Sequence, residues 1–286
     1  MKYLNYAFAC LLFLSSCSDD EDNTLASLSD RDVLIAIDRA NPTNTLGWDT
    51  NDQDLSNWNG IKVTNGRVTS LIVEGDKAIN VLPREIGALT ELDTLIIVAN
   101  SLTQIPNEIR SLTGLQELDL SENEISSLPQ EIGELTNLLE LNITDNRLTA
   151  LPDRLRDLKG NLEVLRAGRN ELSTYPEVVS ELTNLKSLSL FDTGLKELPS
   201  SIQNVSGLER LFLGRNELTT LPKEIGTLKK LRLLAFDKNE NLSSLPPEMG
   251  NLESLEELVV SGEHQSLFPK ELNDLIQRNA VLVFIN

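Results

Sequence analysis

Prolines recur along this chain at a nearly constant interval, and this regularity constrains the fold more than any other feature. Nine of the eleven prolines are 23 or 24 residues apart, at Pro83, Pro106, Pro129, Pro152, Pro176, Pro199, Pro222, Pro246 and Pro269. The pattern L-x-x-L-x-L-x-x-N stands between successive prolines, for example at Leu115, Leu118, Leu120 and Asn123. A fixed period of this length is typical of repeat proteins, in which similar units stack and each unit contacts only its neighbours.

Leucine supplies the core of these units. The chain has 55 leucines among 286 residues, whereas only 4% of its residues are aromatic. In each L-x-L segment the two leucines point to one side of a short strand, and the intervening residue points to the other side. Because one unit cannot bury its leucines alone, we expect the units to stack as parallel strands around one shared core.

The repeated residues resemble the leucine-rich repeat family in its 23-residue form, over about residues 61–286. The resemblance implies an α/β repeat solenoid, a horseshoe with parallel β-strands on the concave face and short helical turns on the convex face. It also implies that the Asn of each unit turns inward and bonds to the backbone of the bend, as a structural ladder at Asn100, Asn123, Asn146, Asn170, Asn216 and Asn239. Asp76, Thr193 and Glu263 replace this Asn, so we expect a looser chain there.

Two caps are expected to close the ends of the stack. We assign residues 29–67 to an N-terminal cap, residues 68–270 to about nine repeats, and residues 271–286 to a C-terminal cap made of a helix and a strand. The N-terminal segment resembles the cap of plant receptor-type leucine-rich repeats around Trp48 and Trp58, but it lacks the Cys pair usual in that cap. We therefore expect the two Trp side chains to form the core of the cap by packing alone.

The first residues predict export from the cytoplasm. Lys2 precedes an uncharged apolar stretch at residues 6–14, which is too short to span a membrane and fits a secretory signal peptide over residues 1–16. Leu14-Ser15-Ser16-Cys17 resembles the lipobox of bacterial lipoproteins, which implies lipidation of Cys17 and a membrane anchor. An ordinary signal peptide followed by a chance Cys is the alternative.

An acidic tether follows the lipobox at residues 17–28. Its four consecutive acids at residues 19–22 resemble the tag that some Gram-negative lipoproteins carry for export to the outer face. We therefore expect a protein that is lipid-anchored to the bacterial outer membrane and exposed at the cell surface. The alternative is a solvated tether with no sorting role.

Charge and missing motifs argue against nucleic-acid binding and catalysis. Acidic residues outnumber basic ones 44 to 25, a net charge of −19, whereas phosphate contacts need clustered Lys and Arg. His264 is the one His of the sequence, which leaves little material for His-based triads or metal sites, and we expect it in an exposed loop. No nucleotide-binding, zinc-protease or hydrolase motif occurs. We expect no enzymatic activity, no cofactor, no metal and no nucleic-acid partner.

The residues that alternate with the core leucines form the concave face, and their chemistry divides it into three zones. Repeats 1–2 contribute an apolar strip at Ile72, Ile96 and Val98. Repeats 3–4 contribute an acidic zone at Glu117, Asp119, Glu122, Glu140 and Asp145. Repeats 5–8 collect five cations and two Phe, at Arg166, Arg169, Phe191, Arg210, Phe212, Arg215 and Lys238, against only Asp192 and Asp237.

We expect the five cations and two Phe to form the partner-binding surface, because Arg and aromatic residues are enriched at interface hot spots. Phe191 and Phe212 lie on neighbouring strands, about 8 Å apart by strand spacing and rise. Gly168 and Gly214 beside them would leave room for a ligand. The alternative is that the cations pair with acids on neighbouring strands while each Phe covers a neighbouring residue.

The sequence thus predicts a monomeric cell-surface binding module that recognises a protein or a surface glycan through its concave face. The alternative function is a structural or accessory lipoprotein subunit of an outer-membrane complex, for instance one for nutrient uptake.

Overall fold

A computed structural model describes residue 25 and residues 27–75 and 78–285 of the chain. Cys17, the signal peptide at 1–16, most of the acidic tether and Asp76 lie outside the described residues. Within the described part, no helix has the length and apolarity needed to cross a membrane.

The described chain forms one sheet of eleven strands, and their spatial order is the same as their order in the sequence. The strands are β1 (Ile61–Thr64), β2 (Arg67–Glu74), β3 (Thr94–Val98), β4 (Glu117–Asp119), β5 (Glu140–Asn142), β6 (Val164–Arg166), β7 (Ser187–Ser189), β8 (Arg210–Phe212), β9 (Leu233–Ala235), β10 (Glu257–Val260) and β11 (Leu282–Ile285). All pairings from β2 to β11 are parallel. The predicted repeat solenoid, a leucine-rich-repeat horseshoe, is confirmed.

The first strand departs from the parallel pattern. β1 pairs with β2 in antiparallel fashion, and Asn65 and Gly66 connect them with φ angles of 52° and 79°. Asn-Gly is the pair that best tolerates two positive φ angles in a two-residue hairpin turn. The hairpin therefore adds a strand that the repeat pattern alone does not predict, at the N-terminal end of the sheet.

Short 3-10 helices lie on the opposite side of the stack from the sheet. Those that belong to repeats span Arg84–Ala88, Asn107–Ser111, Gln130–Glu134, Asp153–Leu158, Glu177–Glu181, Ser200–Asn204, Lys223–Thr227 and Pro247–Asn251. Each begins directly after a proline of the 23-residue series, for example Pro129, whose φ and ψ are −68° and 152°. Proline fits this position because its fixed φ suits the extended backbone and the helix needs no N–H from it. Two more 3-10 helices, Leu55–Asn57 and Gly262–Leu267, lie in the terminal segments.

Strand register aligns the leucines in layers. Leu118 of β4 stands opposite Leu95 of β3 and Leu141 of β5, and all three side chains are fully buried. Because side chains alternate along a strand, a slip of one residue would expose every one of these leucines. The residues that flank each central leucine face away from the core, and this places the candidate binding residues on the concave face.

The Asn ladder joins consecutive units through buried hydrogen bonds. The Asn146 Oδ1 accepts from the Ile125 N–H of the preceding unit at 2.9 Å. Its Nδ2 donates to the Leu120 O of the preceding unit at 2.9 Å and to the Ile143 O and Thr144 O of its own bend at 3.2 and 3.4 Å. The same pattern recurs at Asn123, Asn170, Asn216 and Asn239. Each amide thereby satisfies backbone groups that would otherwise be buried without partners.

Thr193 occupies a ladder position in place of Asn and is buried. Its Oγ1 donates to the Leu190 O at 3.1 Å, while the Asn216 Oδ1 accepts from the Thr193 N–H and the Leu195 N–H at 3.0 and 2.9 Å. The connection to the preceding unit runs through the Thr193 O, which accepts from the Ser173 N–H at 2.8 Å. The position is therefore filled, but its side chain makes fewer bonds to the preceding unit than Asn does.

The N-terminal segment begins with helix α1 (Asp30–Ala40). Ser29 caps the helix, because its Oγ accepts from the Asp32 N–H at 3.2 Å while the Asp32 Oδ2 accepts from the Ser29 N–H at 3.0 Å. The buried Asp30 ties α1 to the sheet, since its carboxylate accepts from the Arg67 guanidinium and from the Val68 N–H at 2.6 Å.

The two Trp side chains lie together in this segment. The ring centroids of Trp48 and Trp58 are 5.3 Å apart, and both side chains are buried. The Trp48 Nε1 donates to the Asn59 O at 2.8 Å. Tryptophan packing thus holds the segment at a place where the resemblance would have a Cys pair.

The C-terminal segment contains helix α2 (Lys270–Asn279), which packs on the 3-10 helix Pro247–Asn251 of the last repeat and leads into β11. The prediction that His264 lies in an exposed loop is wrong: only 1% of the residue is exposed. Its ring stacks on Phe236 with centroids 6.1 Å apart, and its Nε2 lies 3.0 Å from the Asn239 O. The repeat pattern degenerates here because His264, rather than another Leu and Asn, closes the core of the last repeat.

Candidate functional site

The concave face is organised in columns, because corresponding residues of neighbouring strands are in register. The first column runs through Glu117, Glu140, Val164, Ser187, Arg210 and Leu233. The second column runs through Asp119, Asn142, Arg166, Ser189, Phe212 and Ala235. Successive members of a column are about 4.8 Å apart. The columns thus bring together residues that are 23 or 24 positions apart in the sequence.

Phe191 lies beside the second column, and two glycines shape its surroundings. A Cβ on Gly214 would come within 3.2 Å of the Phe191 Cδ2 and 2.6 Å of the Asp237 Oδ1, and a Cβ on Gly168 would lie 2.8 Å from the Phe191 O. The prediction that these glycines leave room for a ligand is therefore wrong, because Phe191 and Asp237 occupy the space. The glycines instead let the half-buried Phe191 lie close against the neighbouring strands.

A cation covers the Phe191 ring. The Arg215 Cζ is 5.7 Å from the ring centroid, a distance at which the guanidinium is attracted to the face of the ring. Asp237 is buried next to the same ring, whereas Arg215 is exposed. From the sequence, Asp237 is predicted only as a negative charge that opposes the five cations, and not as a neighbour of Phe191. The available signal was a carboxylate at a position that holds Gly168, Phe191 and Gly214 in the three preceding units.

Two of the seven candidate residues are paired with acids of the neighbouring zone. Arg166 forms an ion pair with Glu140, and the Arg169 Nη1 lies 3.1 Å from the Asp145 Oδ2. These two pairs agree with the alternative interpretation of the sequence, in which cations and acids on neighbouring strands neutralise each other. They also mark the boundary between the acidic zone and the cationic zone.

The other three cations, Arg210, Arg215 and Lys238, are exposed and belong to none of the ion pairs formed by the described residues. The Arg210 Nε lies 3.5 Å from the Ser187 Oγ, which is long for a hydrogen bond. Phe212 is half-buried, and its neighbours in the second column are the small residues Ser189 and Ala235. Five residues, Phe191, Arg210, Phe212, Arg215 and Lys238, therefore form what we call the cationic patch.

Backbone conformation places one column of charged residues at the rim of the concave face. The residue before each ladder position has a positive φ of 50–57°, at Ala99, Glu122, Asp145, Arg169, Asp192, Arg215 and Lys238. Residues other than Gly, Asn and Asp rarely adopt this conformation, which costs roughly 1 kcal/mol. The bend enforces it in these seven successive units, so side chains as different as Glu122 and Lys238 leave the backbone in the same direction.

Three of the five carboxylates of the acidic zone belong to no ion pair of the described residues: Glu117, Asp119 and Glu122. Burial, followed by repulsion from Glu140 and Asp119, raises the pKa of the Glu117 carboxyl. Asp119 is held by local bonds, since its Oδ1 accepts from the Ser121 N–H at 2.9 Å and its Oδ2 from the Asn142 Nδ2 at 2.8 Å. No group of three or more metal-binding side chains occurs in the described part of the chain.

The apolar strip of repeats 1–2 lies next to the acidic zone. Ile72 and Ile96 are paired in register, and Ile96 stands opposite Asp119 on the next strand. Ile72 is 36% exposed, while Ile96 and Val98 are half-buried. All three residues of the strip thus reach the surface of the concave face.

A family model described as a leucine-rich repeat region matches residues 80–191 and 170–279. A solved leucine-rich-repeat protein of Leptospira interrogans is 31% identical, with a TM-score of 0.61, over 76% of this chain and 60% of that one. The ectodomain of a plant membrane receptor kinase from Arabidopsis thaliana, solved with CASPARIAN STRIP INTEGRITY FACTOR 2, is 21% identical, with a TM-score of 0.63, over 90% of this chain and 35% of that one.

The Arabidopsis receptor kinase HAESA, whose ectodomain was solved with an IDA peptide hormone, is 24% identical over 82% of this chain and 45% of that one, with a TM-score of 0.58. The two plant structures therefore share the fold alone. The chain spans 60% of the Leptospira protein and less than half of either plant ectodomain. No curated protein matches the chain in sequence. The family model covers more than half of the chain, and the chain belongs to the leucine-rich repeat family.

Proposed function

We propose that this protein is a cell-surface module that binds a protein partner through the concave face of its repeats, without catalysing a reaction. The observation that carries the proposal is the cationic patch: three cations outside any ion pair of the described residues share one face with two half-buried Phe, and Arg215 lies over the Phe191 ring, in a chain of net charge −19. Arg and aromatic residues are the types on which binding energy concentrates at interfaces. Plant ectodomains of the same fold were solved with a peptide hormone or a named protein factor, which supports the proposal by analogy of fold.

The patch is suited to binding because its aromatic part is already in place before a partner arrives. Phe191 is fixed between Gly168 and Gly214, and the rim backbone fixes the direction of Arg215 and Lys238. A rigid surface loses little conformational entropy on association, so more of the contact energy appears as affinity.

We also propose that lipidation of Cys17 anchors the protein in the bacterial outer membrane with the repeats outside the cell. Support comes from the lipobox-like residues 14–17 and the acidic run at residues 19–22. Cys17→Ser tests the anchor: we expect the substituted protein to appear in the soluble fraction and to lose incorporation of labelled palmitate. Protease added to intact cells should cleave the wild-type protein if the repeats face outwards, and an uncleaved protein would contradict surface exposure.

The binding proposal is tested by capture from outer-membrane extracts with three forms of the full chain: wild type, Phe191→Ala/Phe212→Ala, and a control. Arg154→Ala is the control, because Arg154 is an exposed cation of a 3-10 helix, is paired with Glu134 and Asp157, and is not part of the cationic patch. We expect the wild type and the control to capture the same partner and the double variant to lose it. A double variant that still captures the partner would refute the role of the patch.

Treatment of the extract before capture distinguishes a protein partner from a glycan partner. Protease should abolish capture of a protein partner, and periodate, which oxidises sugars, should leave it intact. The opposite result would identify a surface glycan.

A further inference from the structure

Charges of opposite sign lie at two ends of one straight line across the concave face. In the first column, Glu117, Glu140, Val164, Ser187 and Arg210 stand side by side on β4 to β8. Neither Glu117 nor Arg210 belongs to any ion pair of the described residues, whereas Glu140 is neutralised by Arg166 of the second column. The line therefore has one unpaired anion at β4 and one unpaired cation at β8.

The anionic end is poorly satisfied by its own surroundings. Burial and the charges of Glu140 and Asp119 raise the pKa of the Glu117 carboxyl more than the charge of Arg166 lowers it. A cation brought by a ligand would relieve this repulsion, because an opposite charge within about 4–6 Å favours the ionised carboxylate.

Between the two ends, the surface of the first column carries short side chains and almost no net charge. Val164 and Ser187 are the two residues of the column between Glu140 and Arg210, and Ser187 is only 5% exposed. Ser189 continues this low surface in the second column, with Arg166 on one side and Phe212 on the other. A ligand chain that crosses the strands here would lie over the hydroxyl groups of Ser187 and Ser189, with the larger side chains of Arg166 and Phe212 on its flanks.

We propose that the concave face binds an extended segment of a polypeptide that crosses the strands from β4 to β8, with a basic residue at Glu117 and an acidic residue at Arg210. Four strand spacings separate the two residues, about 19 Å. An extended chain advances about 3.3 Å per residue, so the two ligand charges are about six residues apart. The inference rests on the proposed function, because it names the class of partner that the same face takes.

A polypeptide fits this surface better than a sugar chain. The ligand must carry a cation and an anion at a fixed separation, and Lys or Arg together with Asp or Glu supply both signs on one chain. Acidic polysaccharides carry carboxylate, sulfate or phosphate groups, so they would match Arg210 and be repelled from Glu117. The exposed patch cations Arg215 and Lys238 then lie on the same side as Arg210 and add to the attraction for the acidic residue.

Synthetic peptides test the inference directly. The probes are fluorescein-labelled peptides with a spacer of Ser, Thr and Gly around one Phe, with Lys and Glu placed six positions apart, and matched peptides with the same residues three positions apart. Two further probes carry Lys at both positions or Glu at both positions. Binding to the full chain in a neutral detergent is measured by fluorescence anisotropy at low ionic strength. We expect the Lys/Glu peptide with six-residue spacing to bind tightest, by about fivefold over each of the others.

Charge reversal in the protein should change the preference in a defined way. Glu117→Lys should favour the peptide with two Glu, and Arg210→Glu should favour the peptide with two Lys, each by about fivefold. Glu117→Gln and Arg210→Gln should abolish the preference at one end only. Asp274→Lys, on the exposed side of helix α2 and outside the concave face, is the control and should leave the order of affinities unchanged.

Equal binding of all probes, no measurable binding of any, or an order of affinities that the reversals leave unchanged would overturn the inference. Thermal melting of each variant shows whether it is folded, and the Gln variants replace any reversal that is not. If capture of a partner depends on Phe191 and Phe212 while the peptides fail, the proposed function stands and the inference on the ligand falls. If that capture does not depend on the two Phe, the proposed function itself falls.

Discussion

The guanidinium carbon of Arg215 stands 5.7 Å from the centroid of the Phe191 ring, on the concave face of the repeats. Two features of the backbone produce this contact. The positive φ of 54° at Arg215 sets the direction in which its side chain leaves the backbone, and Gly214 lets the Phe191 ring lie close against the next strand. The aromatic surface and the cation are therefore held by backbone geometry, and this is why we place the centre of the binding surface here.

Gly214→Ala tests whether the glycine sets this geometry. The new Cβ would lie 2.6 Å from the Asp237 Oδ1 and 3.2 Å from the Phe191 Cδ2, so one of the two side chains must move. We expect a loss of about 1–3 kcal/mol in the free energy of unfolding, measured by urea denaturation, and weaker capture of the partner. Gly114→Ala is the control, because its Cβ would meet no atom closer than 3.6 Å. Equal stability of the two variants would contradict the assignment.

Phe191→Leu separates the role of the aromatic ring from the role of its volume. Leucine retains much of the packing between the glycines but removes the ring face below Arg215. We expect the melting temperature to change little and capture of the partner to weaken, whereas Phe191→Ala should lower both. If Phe191→Leu captures the partner as well as the wild type, the ring serves packing alone.

The repeat period predicts the sheet, the turns and the core because each is fixed by local rules that recur in every unit. Leu118 must face inward once Leu95 and Leu141 do, and each 3-10 helix follows its proline. The same reasoning fails at His264, where the pattern degenerates and only the shape of the space beside Phe236 determines which side chain is buried.

For the candidate site, the sequence predicts which residues face outward but not which of them pair. Arg169 has the same periodic position as Arg215, and Arg166 faces outward as Arg210 does, yet only Arg166 and Arg169 meet acids on the neighbouring strand. Which cations remain available depends on distances between side chains of adjacent units, and a periodic pattern carries no information on these distances. The close fit of Phe191 against Gly214 depends on such distances as well.

Asn146→Ala and Thr193→Ala compare two positions of the ladder. Asn146 links its bend to the preceding unit by hydrogen bonds in both directions, whereas the Thr193 hydroxyl donates only within its own unit and to the Asn216 Oδ1. We expect Asn146→Ala to cost about 3 kcal/mol and Thr193→Ala about 1 kcal/mol of unfolding free energy in urea. Equal losses would mean that the ladder bonds contribute no more than the volume of the side chain.

Glu117→Gln should raise stability at neutral pH. The raised pKa of this carboxyl means that the folded state favours its protonated form. The stability that the Glu117 carboxyl contributes is therefore fully present below the unfolded-state pKa and is lost as the pH rises through the folded-state pKa. Removing the charge relieves the repulsion from Glu140 and Asp119, which we expect to add about 0.5 kcal/mol at pH 7 and low salt. Urea denaturation at pH 3.5 and pH 7 should show the gain at pH 7 only. A gain that is equal at both values would contradict the electrostatic cause.

Tyr175 offers a spectroscopic test of the core in the fifth repeat. Burial raises the pKa of its hydroxyl to about 12, and the hydroxyl lies 3.2 Å from the Ser180 Oγ. Because the folded-state pKa lies above the unfolded-state value, the associated stability is complete below about pH 10 and declines as the pH rises towards 12.

The other two tyrosines, Tyr3 and Tyr6, lie in the predicted signal peptide, so absorbance at 295 nm in the processed protein should report Tyr175 alone. We expect its ionisation to coincide with unfolding, and Tyr175→Phe to shift alkaline unfolding to higher pH. Ionisation near pH 10 in a protein that remains folded would show that the ring is open to water.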